Sequence, residues 1–357
     1  MYNTGESAGR NSIRTWLLIG LGMVMVQVLL GGITRLTGSG LSITEWKPIL
    51  GAVPPMNEEA WALAFKKYQE IGQFKHLNYD FSLQDFKFIY FWEWFHRLWG
   101  RLIGLVFIMP FFIFLRRGWI ASWMKFPLIM LFLLGLLQAV LGWIMVKSGL
   151  TDDMLYVDHI RLAIHFMAAM LLFAYLLWFV LKVGIPDQER TKIDHLLKPL
   201  YLIIGLLVVQ LVYGAFMAGL KAANFSPTWP MMNGQWIPNG LRDAQSSFNW
   251  TDNPIAVQFI HRGLAYLLVL GVLAWSFLAA KQTTPRSFNL WRKVPAWLVL
   301  LQLVLGILTV VNAPNRIALL WWGVSHQFTA MLLLAALLVN AYLLSGSKDV
   351  DTDPTRP

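Results

Sequence analysis

Glu93, His96, Arg97 and Arg101 lie within nine residues of one another, in Phe-Trp-Glu-Trp-Phe-His-Arg-Leu-Trp-Gly-Arg, and lead straight into the apolar stretch Leu102 to Leu115. Three residues apart on a helix, an acid and an imidazole share a face with about 5–6 Å between their Cβ atoms. A carboxylate so placed can accept a proton or stabilise positive charge developing beside a bound group. The competing reading for Glu93 is a plain ion pair with Arg97 or Arg101.

The elements that must position these residues are membrane helices. Of the 357 residues, 57% are hydrophobic and only 13% charged, far from the balance of a soluble domain. Apolar runs long enough to span a bilayer, about 20 residues, lie near 15–34, 89–115, 124–146, 157–182, 196–218, 254–280, 294–312 and 317–344. The sequence therefore predicts an all-α integral membrane protein with eight transmembrane helices. Leu102 to Leu115 is too short to span alone, so the charged motif before it must enter the membrane zone.

The formal net charge of +10 is a topology signal. Arg10 and Arg14 precede the first run; Arg116, Arg117 and Lys125 join the second to the third. Lys182, Arg190, Lys192 and Lys198 join the fourth to the fifth, and Lys281, Arg286, Arg292 and Lys293 the sixth to the seventh. The short opposite connections carry only Lys147, Lys221, Arg242 and Arg316. By the positive-inside rule both termini face the cytoplasm, and nothing in the pattern points to nucleic acid. The first fifteen residues lack the apolar core of a signal peptide and the character of a mitochondrial presequence, so the expected location is a bacterial plasma (inner) membrane. With no cysteine, disulfides, thiolate ligands and thiol redox chemistry are excluded.

The chain is written twice. Glu93-Trp-Phe-His96-Arg97 aligns with Gln258-Phe-Ile-His261-Arg262, 165 residues on; Gln138 to Gly142 aligns with Gln302 to Gly306, 164 on; His165 aligns with His326, 161 on. The expected architecture is two pseudo-twofold-related four-helix bundles, residues 1–190 and 191–357, with the axis along the membrane normal because each half has an even number of spans. Each odd-numbered run also carries Gln-x-x-x-Gly (Gln27/Gly31, Gln138/Gly142, Gln210/Gly214, Gln302/Gly306), which reads as helix packing through small residues and amide bonds. Outside the membrane, the connection at about 35–88 is long, with a helix-like stretch from Glu58 to Glu70. Its counterpart at about 219–253 is shorter and rich in Pro, Asn and Gly.

Of seven histidines, His76, His195 and His159 fall in connections or at a helix end and read as solvated or interfacial. His96, His165, His261 and His326 fall in the even-numbered runs, about 10 to 15 Å below the outer surface. Ionisable groups at that depth face a bundle interior and have partners. Two bis-histidine sites result, His96 with His165 and His261 with His326. Paired imidazoles alone make a poor closed zinc site, whereas haem supplies four nitrogens and leaves two axial positions for the protein. Gly100, Ala169, Ala265 and Ala330, one turn after each histidine, leave room for a flat macrocycle. Arg161, one turn outward of His165, is a candidate partner for a haem propionate; Arg97, Arg262 and Arg101 are looser candidates, with snorkelling as the rival account. The halves differ where it matters chemically: Glu93 becomes Gln258, a near isostere that cannot ionise. One site is built for proton chemistry and the other for carrying electrons.

Glu-x-x-His-Arg-x-x-Gly-Arg at 93–101, Gly-Gly-Ile-Thr-Arg-Leu-Thr-Gly-Ser-Gly-Leu-Ser at 31–42 and the duplicated helices with four histidines closely resemble the heme A synthase family, over nearly the whole chain. Phe-Lys-His-Leu-Asn-Tyr-Asp at 74–80 is similar to the branch with mitochondrial and proteobacterial members. The resemblance implies oxidation of a ring methyl of heme o to a formyl group, giving heme a for cytochrome oxidase, by successive hydroxylations and loss of water from a geminal diol. It also implies that His96 and His165 hold the substrate haem beside Glu93, while His261 and His326 ligate a resident heme b. Other branches carry a cysteine pair in the outer loops. This chain has none, which leaves the electron-transfer partner open.

The rival readings are a non-catalytic dihaem b-type cytochrome passing electrons from quinol, which gives no reason for Glu93 beside one ligand or for the unequal lids, and a haem transporter or chaperone, in which one site would load and release unmodified haem. Expected partners, besides heme o, heme a and lipid, are an electron carrier, heme o synthase or oxidase assembly factors, and a second copy of the chain. The haem sites are expected toward the outer face.

Overall fold

The computed structural model describes residues 4–47, 50–242, 248–282 and 284–346. Eight helical segments in it are long and apolar enough to cross a membrane, and among the described residues there are isolated bridges but no strands. The fold is all-α, as the composition requires. The extreme ends of the chain, expected on the cytoplasmic side, lie outside the described residues.

The first span is α1 (Thr4–Leu36). It is followed by two lid helices, α2 (Glu58–Gln69) and α3 (Gly72–Leu77), and then by the second span, α4 (Leu83–Arg116). The third to sixth spans are α5 (Ser122–Lys147), α6 (His159–Gly184), α7 (Asp194–Gly219) and α8 (Pro254–Ala280). The seventh is broken into α9 (Arg286–Trp291) and α10 (Val294–Val311), with Pro295 in the first turn after the break; the eighth is α11 (Arg316–Leu344). Proline is tolerated there because the first helical N–H groups have no intrahelical acceptor. The even-numbered spans start on polar caps: Ser82 in a capping box with Asp85, Asp158, Asn253 and Asn315 each accept from helix-start N–H groups. Such caps contribute about 1 kcal/mol apiece.

The inner helices α1, α6, α7 and α11 pack on one another across the boundary between the halves. α11 is the most enclosed span, with Met331, Leu333, Leu337, Leu343 and Leu344 buried in the main apolar core. Gln327 of α11 donates to the Val28 carbonyl of α1 at 2.9 Å, tying the halves together at the depth of the histidines. The outer helices differ. In the second half α7, α8, α10 and α11 form a closed ring of neighbours, α8 against α10 included. In the first half α4 packs on α1 and α5 on α6, while α4 and α5 meet at no more than isolated points.

The long connection between the first two spans is a packed lid. Tyr68, Ile71, Phe86, Ile89 and Leu41 form a separate apolar cluster that seats α2 and α3 on the N-terminal end of α4. Tyr68 donates to Gln73 Oε1 at 3.0 Å and accepts from Asn78 at 2.7 Å. Gln73 donates in turn to the Leu155 carbonyl, which fastens the lid to the α5–α6 connection. α4 begins six residues earlier than the hydropathy run suggested, because its first turns belong to this lid.

Candidate functional site

All four membrane histidines line one cavity of about 1280 Å³, together with Gly100, Ala169, Ala265 and Ala330. Each histidine is cradled by the Gln-x-x-x-Gly motif of the preceding span. A Cβ built on Gly31 would lie 3.3 Å from His96 Cε1; on Gly142, 3.1 Å from His165; on Gly214, 3.4 Å from His261; on Gly306, 2.9 Å from His326. In three of the four, the glutamine one turn before the glycine stands beside the same ring. Gln27 Nε2 is 3.2 Å from His96 Nε2, Gln210 Nε2 is 3.3 Å from His261 Nε2, and Gln302 Nε2 is 3.3 Å from His326 Nε2. Packing explains the glycines only in part: they make room for imidazoles. The sequence reading passed over this role because the motif has the form of an ordinary helix contact. The matching of one motif per odd span to one histidine per even span was the available signal.

The donor set suits haem. Among the described residues no group of three or more His, Cys, Asp or Glu stands together, so a closed tetrahedral metal site has no ligands. The His261 and His326 ring centres are 6.5 Å apart, with planes at 73°; metal–nitrogen bonds of about 2 Å on either side of one iron would put them about 6 Å apart. His326 Nδ1 lies 3.1 Å from the Gln302 carbonyl. A carbonyl can only accept, so the proton is on Nδ1 and Nε2 carries the lone pair, which here faces the Gln302 amide and is the atom that a metal would take up in its place. Buried polar atoms without partners ring the cavity, among them Gln27 Oε1, Gln138 Nε2, His165 Nδ1 and His261 Nδ1. Such atoms normally find a partner.

Glu93 is buried and lies on the cavity wall. Oε1 accepts from Arg97 at 2.5 Å; Oε2 accepts from Ser42 Oγ at 2.7 Å and from the Ile43 N–H at 2.9 Å. Three donors around one carboxylate fix its position. A carboxylate has about four acceptor positions, and the open one is on Oε1. Both readings of Glu93 thus meet in one group, paired with Arg97 and still facing the cavity. Gln258 is also buried, but its amide donates to the Ser226 carbonyl at 2.9 Å and it does not reach the cavity wall.

The arginines mostly fasten loops. Arg97 donates to the Ile43 and Glu45 carbonyls, and Arg101 to that of Lys47, which holds the first stretch of the lid along α4. Arg262 repeats this with the Ser226 and Thr228 carbonyls. Arg97, Arg101 and Arg262 line the cavity as well. Arg161 does not. It is exposed and donates to the Ile144 carbonyl at 3.3 Å, so its guanidinium is turned to the neighbouring helix α5.

The cations that do stand at the lid-side rim were not singled out as site residues in the sequence. Arg35, Lys221 and Arg316 line the cavity between the halves. Lys221 stacks on Tyr156 at 3.5 Å from the ring centre, and Arg35 caps the end of α7 through the Ala218 and Gly219 carbonyls. None of the three has a carboxylate partner among the described residues. Burial, reinforced by the charges of Arg35 and Arg316, pulls Lys221 down to about 8.

Residues 14–338 match the family described as Cytochrome oxidase assembly protein. The chain is 39% identical over 343 residues to the Heme A synthase of Dinoroseobacter shibae, covering 93% of this chain and 87% of that one. It is 41% identical over 349 residues to the Heme A synthase of Methylorubrum populi, with 96% and 89% covered. To that of Paracoccus denitrificans it is 39% identical over 345 residues, with 95% and 89% covered. The chain belongs to the heme A synthase family. The resemblance read from the motifs at 31–42 and 93–101 is thereby borne out, and the structure adds how those two motifs meet in this chain: Ser42, the last residue of the first, and Ile43 just after it hold Glu93, at the start of the second.

Proposed function

We propose that this chain converts heme o to heme a for cytochrome oxidase, with residues 1–190 forming the substrate unit and residues 191–357 the cofactor unit. The observation that carries this reading is the difference between Glu93 and Gln258: the carboxylate lies on the cavity wall and its amide counterpart does not. His96 and His165 hold the iron of heme o. His261 and His326 hold a resident heme b, which supplies one-electron chemistry when bound.

The protein's own part is positioning, charge and exclusion of water. The cradle glycines and glutamines set the imidazoles, and the lid covers the outer end of the cavity, shielding reactive intermediates from solvent. Oxidising the ring methyl to a formyl group against an electron acceptor takes the formyl oxygen from water and releases one proton with each electron, and Glu93 Oε1 is the proton acceptor on the wall. Arg97 and Ser42 keep that carboxylate in place while charge develops at the porphyrin edge. Arg97 and Arg262 support the haem rims through the loops they fasten, and Arg35, Lys221 and Arg316 take propionates at the outer rim. The chain sits in a bacterial inner membrane with both termini cytoplasmic and the haem sites toward the outer face.

Purified protein incubated with heme o and an electron acceptor, with the porphyrins then extracted and separated by chromatography, tests the reading. Accumulation of heme a is expected. Recovery of unchanged heme o alongside fully loaded heme b would favour the non-catalytic cytochrome.

A further inference from the structure

The unclosed seam between α4 and α5 is set by a pair of glycines. Gly104 on α4 and Gly135 on α5 both line the cavity, and a Cβ added to either would meet no atom within 4 Å. Transferred by the repeat offsets of 165 and 164, these positions become Val269 on α8 and Val299 on α10. Val299 is buried and Val269 is packed against the main core, in the half whose outer helices are neighbours. The same fold is thus filled by valines in one half and left open at glycines in the other.

The opening connects two environments. Phe132 and Leu136 of α5 and Ile108 of α4 line the cavity and are also exposed at the apolar outer surface, 40%, 50% and 37%. Gly104 is eight residues beyond His96 and Gly135 seven before Gly142, the glycine that cradles His165; at 1.5 Å per residue both lie about 10–12 Å toward the bilayer centre from the imidazoles. An apolar slot therefore runs from the histidine pair to the lipid.

Resting on the functional reading above, we propose that this slot is the subsite for the isoprenoid tail of heme o, and that Gly104 and Gly135 make the first half specific for a tailed porphyrin. A haem bound by His96 and His165 needs an apolar channel for a tail, and lipid tails are as apolar as the tail itself, so the slot need only be empty of side chains. Val269 and Val299 deny that space in the second half, which suits a tail-less resident haem.

The Gly104→Val/Gly135→Val double variant tests this by giving the first half the second half's residues. It is expected to fold, because valine enters open space and is a better helix former than glycine. Wild-type and variant full-length protein are each offered heme o and mesohaem, a tail-less haem separable from heme b by mass, and bound porphyrin is measured after gel filtration. The expected result is unchanged heme b and mesohaem content with heme o uptake weakened on the order of tenfold or more, the scale of a steric overlap of a few methyl groups. Equal heme o uptake by the variant, or equal loss of both added porphyrins, would overturn the slot. Failure of the wild type to take either porphyrin through His96 and His165 would overturn the functional reading first, and the slot with it.

Discussion

A methyl group on Gly306 would stand 2.9 Å from Cε1 of His326, the closest of the four cradle contacts. Real Cβ atoms do not approach so near, so alanine there must push the imidazole out of line. Overpacking of this kind costs about 1–3 kcal/mol. The other three glycines grade the effect, at 3.1 Å for Gly142, 3.3 Å for Gly31 and 3.4 Å for Gly214. Gly306→Ala is expected to lower bound heme b sharply while Gly214→Ala keeps it, although both act on the second site. Haem content per chain, read by absorbance after purification, checks the order; equal retention in the two variants would show that the cradles do not set the rings.

Glu93 supports a reciprocal experiment. In Glu93→Gln the Ser42 and Ile43 donors keep one amide oxygen, but Arg97 loses its charged partner, at a stability cost of about 1–3 kcal/mol. Such a variant should stay folded and haem-loaded yet form no heme a. Gln258→Glu should gain no activity, because position 258 is off the cavity wall. Ser42→Ala removes one donor from Oε2 and should slow heme a formation without abolishing it. Product chromatography on the three variants separates these outcomes, and full turnover in Glu93→Gln would remove the carboxylate from the chemistry.

What the sequence disclosed and what it hid follow from the range of the physics involved. Residue type and helical spacing are local, so the four histidines, the Glu93/Gln258 difference and the eight spans were legible from the chain alone. The role of Gln27 and Gly31 depends on which neighbouring helix they face, and spacing within one helix is silent on that. Arg161 meets the same limit: i, i+4 spacing puts it on the face of His165 but does not say which neighbour its side chain meets, and its guanidinium turns to the Ile144 carbonyl. Arg35 and Lys221 come from opposite halves and meet only because α1 and α7 end at the same level. The gap between α4 and α5 is still less local, since it consists of side chains that are missing.

Lys221 allows a pH test of the outer rim. It ends α7 in left-handed backbone, φ 52°, a conformation that favours glycine, so a side chain is kept there against a backbone preference. Facing Arg35, Arg316 and the Tyr156 ring, its ammonium is held to about 8 by burial and like charge. A propionate brought beside it favours the charged form, so the bound-state value lies above the free one. Below pH about 8 the lysine is already protonated and haem affinity should be flat. Above it, binding must take up a proton, so affinity should fall by up to about tenfold per pH unit until the bound-state value is passed. In Lys221→Met that step should disappear and affinity at neutral pH should drop to the level the wild type reaches in alkali. Haem titrations between about pH 7 and 10 measure both, and an identical pH profile in the variant would place the propionates elsewhere.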